Sequence, residues 1–307
     1  MRLELLPIPE HYESFLITTK KENLEKIIET LSQLRNQNIL TSLVHIVDPM
    51  RFFISTHLCP QEYKNKLMSR EDAIKNLQKS LLFNVGYWNA FGGIYGTKEE
   101  VQVRKKVIKQ SLPFANLMFF SDVKLKVWQK IIDSRLISLV PSHFKRQLNQ
   151  TIKIGSYLHG LAKGKPSKLT FKSIQWRCDD YEDIGLIWYV PTFSAEGKKA
   201  RTIFELAKSL FDEYGFELSI SLNFVTPDRL VGIICIHYNK NMPEQREKAF
   251  NLYRDLEKKC LNIGIVSYRK PIIDMKIEYD EGKLKVLKQI KDKLDPNRVI
   301  SIGRYGI

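Results

Sequence analysis

Residues 185–238, GLIWYVPTFSAEGKKARTIFELAKSLFDEYGFELSISLNFVTPDRLVGIICIHY, carry the pattern that decides the fold. Gly185–Val190 reads as a strand, and Lys198–Tyr214 reads as a helix. Gly215 stands where a left-handed turn ends such a helix. Leu218–Val225 and Leu230–Tyr238 then form a hairpin around Thr226-Pro-Asp-Arg229. Just downstream, Pro243 opens a helix to Cys260 with Ala249, Phe250, Tyr253 and Leu256 inward. A short extended segment, Ile265–Tyr268, follows it. Strand, helix, two strands, helix and strand make a ferredoxin-like unit.

The upstream chain repeats the theme. Tyr12–Thr19 alternates as a strand, and Glu22–Arg35 is a helix with Leu24, Ile27, Ile28, Leu31 and Leu34 on one face. Leu40–Val47 is a strand. Ser69–Phe83 is a helix opened by the capping box Ser69-Arg-Glu-Asp72. Trp88–Tyr95 is a strand, Thr97-Lys-Glu-Glu100 caps a helix carrying Val101, Val107, Ile108 and Leu112 inward, and Asn116–Phe120 is a strand. Between the two units, residues 122–183 form an irregular helical insertion. It holds helices at Val123–Ile132 and Ser142–Thr151 and a loop at Gly160–Lys168. The expected fold is α+β, two ferredoxin-like units (about 1–121 and 184–281) sharing a large, mainly antiparallel sheet covered by helices. A C-terminal tail, 282–307, opens with a helix over Gly282–Leu294.

Composition narrows the function classes. The 307 residues are 43% hydrophobic and 11% aromatic, which suits a folded core. The first residues read as neither a signal peptide nor an apolar span, and no stretch reaches the roughly 18 apolar residues a membrane helix needs. The expected setting is the cytoplasm, without a membrane partner. Four scattered cysteines make neither a disulfide framework nor a CxxC metal site; Cys235 and Cys260 read as small core residues. The formal charge of +15 comes from lysines spread over the helices, and no nucleic-acid recognition motif accompanies it. Gly92-Gly93-Ile-Tyr-Gly96 matches no dinucleotide or phosphate loop, so close backbone packing or a bulge is its expected role. The six histidines stand apart from one another. The residues by themselves show no self-contained chemistry.

Four collinear segments nevertheless resemble the cap domain of the vanillyl-alcohol oxidase and 4-cresol dehydrogenase family of FAD-linked oxidases. They are MRLELLPIPEHYESFLI at 1–17, Trp88-Asn89 through Tyr95-Gly96, Trp188-Tyr-Val-Pro191 with Gly197, and Leu294-Asp-Pro-Asn297 followed by Gly303-Arg304-Tyr-Gly306. The resemblance implies that Tyr268 and Arg269 contact the phenolic oxygen of a substrate. A guanidinium and a tyrosine hydroxyl there favour the phenolate, which eases hydride loss from the benzylic carbon. It implies an aromatic wall at Trp188, where the residue alone reads as core, and cofactor-side positions at Leu186 and Arg304.

The departures from the family are specific. Leu186 stands where covalent-flavin members carry a histidine, so the implied FAD is bound non-covalently. The family's paired histidines fall at about Val231-Gly232, and Ile302 replaces a proline. The flavin-binding domain is not among these residues. The implied partner is an FAD-binding-domain chain, with a homo-oligomer left open. The alternative reading is an inactive remnant or basic interaction module that keeps the cap fold.

Overall fold

Alternation along β1 (His11–Thr19) decides what each sheet face buries. Phe15 and Ile17 enter one apolar core, while Leu16 enters another on the opposite side. The computed structural model describes residues 9–134, 137, 140–269 and 281–302. Residues 1–8, which begin the first resemblance segment, and Gly303–Gly306, which end the last, lie outside them. The chain forms two compact units, Met1–Val266 and Ser267–Ile307.

In the first unit the remaining strands are β2 (His45–Val47), β3 (Trp88–Gly96), β4 (Asn116–Phe120), β5 (Ile184–Tyr189), β6 (Pro191–Ser194), β7 (Ser219–Thr226) and β8 (Arg229–Asn239). They lie in the order β4-β1-β3-β2-β7-β8, with β5 and β6 end to end along β8. The pairings are antiparallel. The two ferredoxin-like halves therefore meet edge to edge, as the sequence led us to expect. Their seam pairs His45 with Asn223, Ile46 with Leu222 and Val47 with Ser221.

The helices are α1 (Leu24–Asn36), α2 (Pro49–Thr56), α3 (Arg70–Ser80), α4 (Lys98–Ser111), α5 (Asp122–Asp133), α6 (Ser142–Ala162), α7 (Gly197–Tyr214) and α8 (Pro243–Asn262). Apolar stripes of α1, α4, α7 and α8 close one face. At its centre Trp88 is fully buried, meets Phe204 edge-on at 4.9 Å, and donates its indole N–H to the Lys21 carbonyl at 3.2 Å. Helices α2, α3 and α6 cover the other face of the first half.

Gly197 begins α7 because α1 leaves no room for more. A Cβ there would stand 2.5 Å from the Glu25 Cα. We expect Gly197→Ala to destabilise the chain by about 1–3 kcal/mol through overpacking. Thermal melts would check this; an unchanged midpoint would show that the helices can part freely.

Several elements differ from the sequence reading. The strand expected over 40–47 shrinks to His45–Val47, after a turn in which Asn38 takes a positive φ of 56°. Helix α3 stops at Ser80, and α6 continues to Ala162 because Ile154 and Leu158 still find the second core. Helix α2 and strand β6 add to the expected elements. Pro191 is tolerated as the first residue of β6, where no ladder donor is lost from the interior.

In the second unit, α9 (Glu281–Leu294) buries none of its residues. Its Val286, Ile290 and Leu294, four residues apart, share one exposed face. Asp295 closes the helix. Its carboxylate accepts from the backbone N–H of Val299 and Ile300, each at 2.9 Å, and pairs with Lys291 at 2.6 Å. The Lys291 ammonium, followed by those donors, holds the carboxyl below its ordinary range.

Candidate functional site

The second sheet face turns polar where the halves meet. By register, His45 and Val47 of β2, Phe91 of β3, Ser221 and Asn223 of β7, and Ile233 and Cys235 of β8 point the same way. Helices α2 and α6 roof this patch. They leave a cavity of about 330 Å³, lined by His45, Val47, Arg51, Phe52, Ser55, Thr56, Phe91, Tyr157, Leu158, Leu161, Ser221 and Ile233. That volume falls in the range of small-molecule sites. A shallower depression of about 600 Å³ at the end of β1 has Lys20 as its sole charged lining residue among the described residues. The seam cavity holds the denser set of titratable groups.

Asp48 fixes the roof. It is the N-cap of α2, accepting the Arg51 N–H at 2.8 Å, with Pro49 at the first helical position. Wholly buried, it also pairs with Arg70 Nε at 3.1 Å and accepts the Ile220 N–H at 3.3 Å. Burial pushes this carboxyl above the ordinary range, while the Arg70 guanidinium and the backbone donors pull it back. Arg70 is completed by the Leu218 carbonyl at 3.2 Å. The start of α2 is thereby tied to β7.

This anchoring holds Arg51 over the sheet. Its Nη1 donates to Cys235 Sγ at 3.0 Å, and among the described residues it pairs with no carboxylate. Burial pushes the Cys235 thiol up, which keeps it a neutral thiol near pH 7. On the seam, His45 Nδ1 lies 2.7 Å from Asn223 Oδ1, and its ring stacks on Phe91 at 5.0 Å. Burial lowers the His45 pKa, the Asn223 bond opposes this, and the Arg51 charge reinforces it. The imidazole is a neutral hydrogen-bonding group at pH 7, with Nδ1 as donor to Asn223.

The residues singled out in the sequence fall at different places. Leu186 pairs with His237 and Trp188 with Cys235, so both lie on the cavity's side of the sheet. Trp188 is 55% exposed, which corrects its reading as a core tryptophan. Cys235 links the two sets of residues, since it pairs with Trp188 and receives Arg51. Tyr268 and Arg269 lie in the second unit, both exposed. Arg304 is outside the described residues.

The glycines of β3 are explained by packing. A Cβ on Gly92 would meet the Phe15 ring at 2.8 Å, and one on Gly93 would meet Tyr95 at 2.6 Å. They offer no bare turn for a pyrophosphate.

A Ser–His–Asp line also occurs, with Ser14 Oγ 2.9 Å from His159 Nδ1 and His159 Nε2 3.4 Å from Asp122. Ser14 is only 1% exposed, so a substrate carbonyl cannot reach its oxygen. The line fastens α6 to β1. Among the described residues no group of His, Cys, Asp or Glu could hold a metal ion, and no helix is long and apolar enough to cross a membrane. Lysines do meet aromatics across elements, as with Lys105 and Lys109 over Phe119. Sequence reading could not show that.

No protein-family profile matches the chain. Over 311 residues it is 24% identical to the 4-cresol dehydrogenase (hydroxylating) flavoprotein subunit of Pseudomonas putida, covering 99% of this chain and 53% of that protein. It superposes on 4-ethylphenol oxidase from Gulosibacter chungangensis, solved with isoeugenol, with a TM-score of 0.81 and 18% identity, covering 99% of this chain and 55% of that one. For p-cresol methylhydroxylase with substrate bound the TM-score is 0.78 at 20% identity, covering 98% and 54%. The chain is homologous to the flavoprotein subunit of 4-cresol dehydrogenase over about half of that protein's length, and it shares the fold of the matching 55% of 4-ethylphenol oxidase.

Proposed function

We propose that these residues form the substrate-facing cap of a flavin-dependent oxidoreductase acting on para-substituted phenols or related aromatic alcohols. The FAD would be held by a flavin-binding half that is not among them. The observation that carries this reading is the match across 99% of the chain to about half of a flavoprotein subunit. When bound, FAD supplies the hydride acceptor. Trp188 would wall the substrate, and Leu186 would face the ring system. Arg269 would hold a phenolate and Tyr268 would donate a hydrogen bond to it, with Arg304 on the cofactor side.

Mixing the purified chain with a flavin-binding half of this type, then adding a para-alkyl phenol without oxygen, tests the reading. A shifted flavin spectrum that bleaches with the phenol is expected. No complex and no bleaching would count decisively against it. Because leucine cannot bond to a flavin, acid precipitation of the assembly should leave essentially all the flavin in the supernatant. Yellow colour retained in the washed pellet would contradict the role given to Leu186.

The charge of +15 favours one other reading, an inactive basic module. A cooperatively folded, colourless chain that associates with no flavin-binding half would support it.

A further inference from the structure

We propose that the cavity at the β2–β7 seam binds a small aromatic carboxylate, with Arg51 as its anion anchor. The inference does not depend on the cap reading, because every wall of the cavity belongs to the first unit.

Charge comes first. A guanidinium has five N–H donors, and one of Arg51's goes to Cys235, whose sulfur is a weak acceptor. The nearby Asp48 carboxylate is taken by Arg70. Among the described residues no other charged side chain lines the cavity, since His45 is neutral and the remaining lining is hydroxyl-bearing or apolar. A partly buried cation without a counter-charge, facing enclosed space, draws an anion, and a guanidinium takes a carboxylate through two parallel bonds.

Shape supplies the rest. An apolar cavity of about 150 Å³ holds one benzene ring. The seam cavity, about 330 Å³, has room for one substituted ring, its carboxylate and some water. Phe91 and Tyr157 offer aromatic surface for the ring, and Ser221 and His45 offer polar partners to a ring substituent. A neutral phenol would leave Arg51 unanswered, and an inorganic anion would leave the aromatic walls unused.

Calorimetric titration of the complete 307-residue chain with benzoate, benzyl alcohol and acetate tests this without any flavin. Failure of the cap reading would instead appear in the flavin-mixing experiment. Benzoate should bind at least about tenfold more tightly than either benzyl alcohol or acetate. Arg51→Gln should weaken benzoate at least about tenfold and leave benzyl alcohol unchanged, and Arg51→Lys should recover part of the loss. Ser55→Phe keeps Arg51 but fills the cavity, and it should abolish benzoate binding. That variant carries the comparison if Arg51→Gln fails to fold. Benzoate affinity that ignores both Arg51→Gln and Ser55→Phe would overturn the proposal. So would acetate or benzyl alcohol matching benzoate, or the absence of benzoate binding by the unmodified chain.

Discussion

Asp48→Ala is expected to lower the stability of the chain by about 3–5 kcal/mol, the cost of removing one partner of a buried ion pair. The loss has three sources. The Arg51 and Ile220 N–H groups lose their acceptor. Helix α2 loses its N-cap. The largest share is Arg70, only 9% exposed, which is left without its carboxylate beside the Leu218 carbonyl. Asp48→Asn, which keeps an acceptor but not the charge, should fall between the two. Urea unfolding curves would measure both, and a loss below about 1 kcal/mol for alanine would mean that Arg70 finds another partner. The variant should also disturb the seam cavity, since Arg51 sits one turn from the cap.

The second large effect concerns α9. Replacing Val286, Ile290 and Leu294 together with glutamine should leave the melting of the isolated chain unchanged, because none of the three is buried in it. If this face packs on a flavin-binding half, the same change should weaken that association at least about hundredfold. The figure follows from roughly 1 kcal/mol of lost burial per half-exposed side chain. Analytical ultracentrifugation of the mixture reads it directly. Undiminished association would remove α9 from the interface, and a lowered melting point would show that the stripe already has a partner within the chain.

Much of the fold was legible because it rests on local signals. The stripe Leu24, Ile27, Ile28, Leu31 and Leu34 marked α1, and each of these residues is buried. The capping box at Thr97 and Glu100 marked the start of α4, and both of its hydrogen bonds are present. Helix α2 escaped notice because its sequence, PMRFFIST, spans only about two turns, too short to repeat a stripe, although Asp48-Pro49 is a legible start signal. The expected helix ended at Thr151 and the expected loop began at Gly160, but α6 runs on through Gly155 to Ala162. Gly155 lets Phe120 approach, since a Cβ there would stand 2.9 Å from its ring.

The candidate site was far less visible. His45, Arg51 and Asn223 carry no motif spacing, and His45 stands 178 residues from Asn223. Only the edge-to-edge joining of the two half-sheets brings them together. Trp188 was singled out by resemblance, yet its exposure depends on the sheet being uncovered at that point, which one strand's pattern does not encode.

That joining strand has a consequence for how the protein reaches its native state. β2 contributes three residues, and they must find partners more than half the chain away. Closing so long a loop carries an entropic cost that the contacts within each half do not share, so the halves should organise first and dock afterwards. Until they dock, β2 and β7 are bare edges that any other copy can satisfy. At high concentration during refolding, the expected by-product is an entwined dimer in which the first half of one molecule pairs with the second half of another.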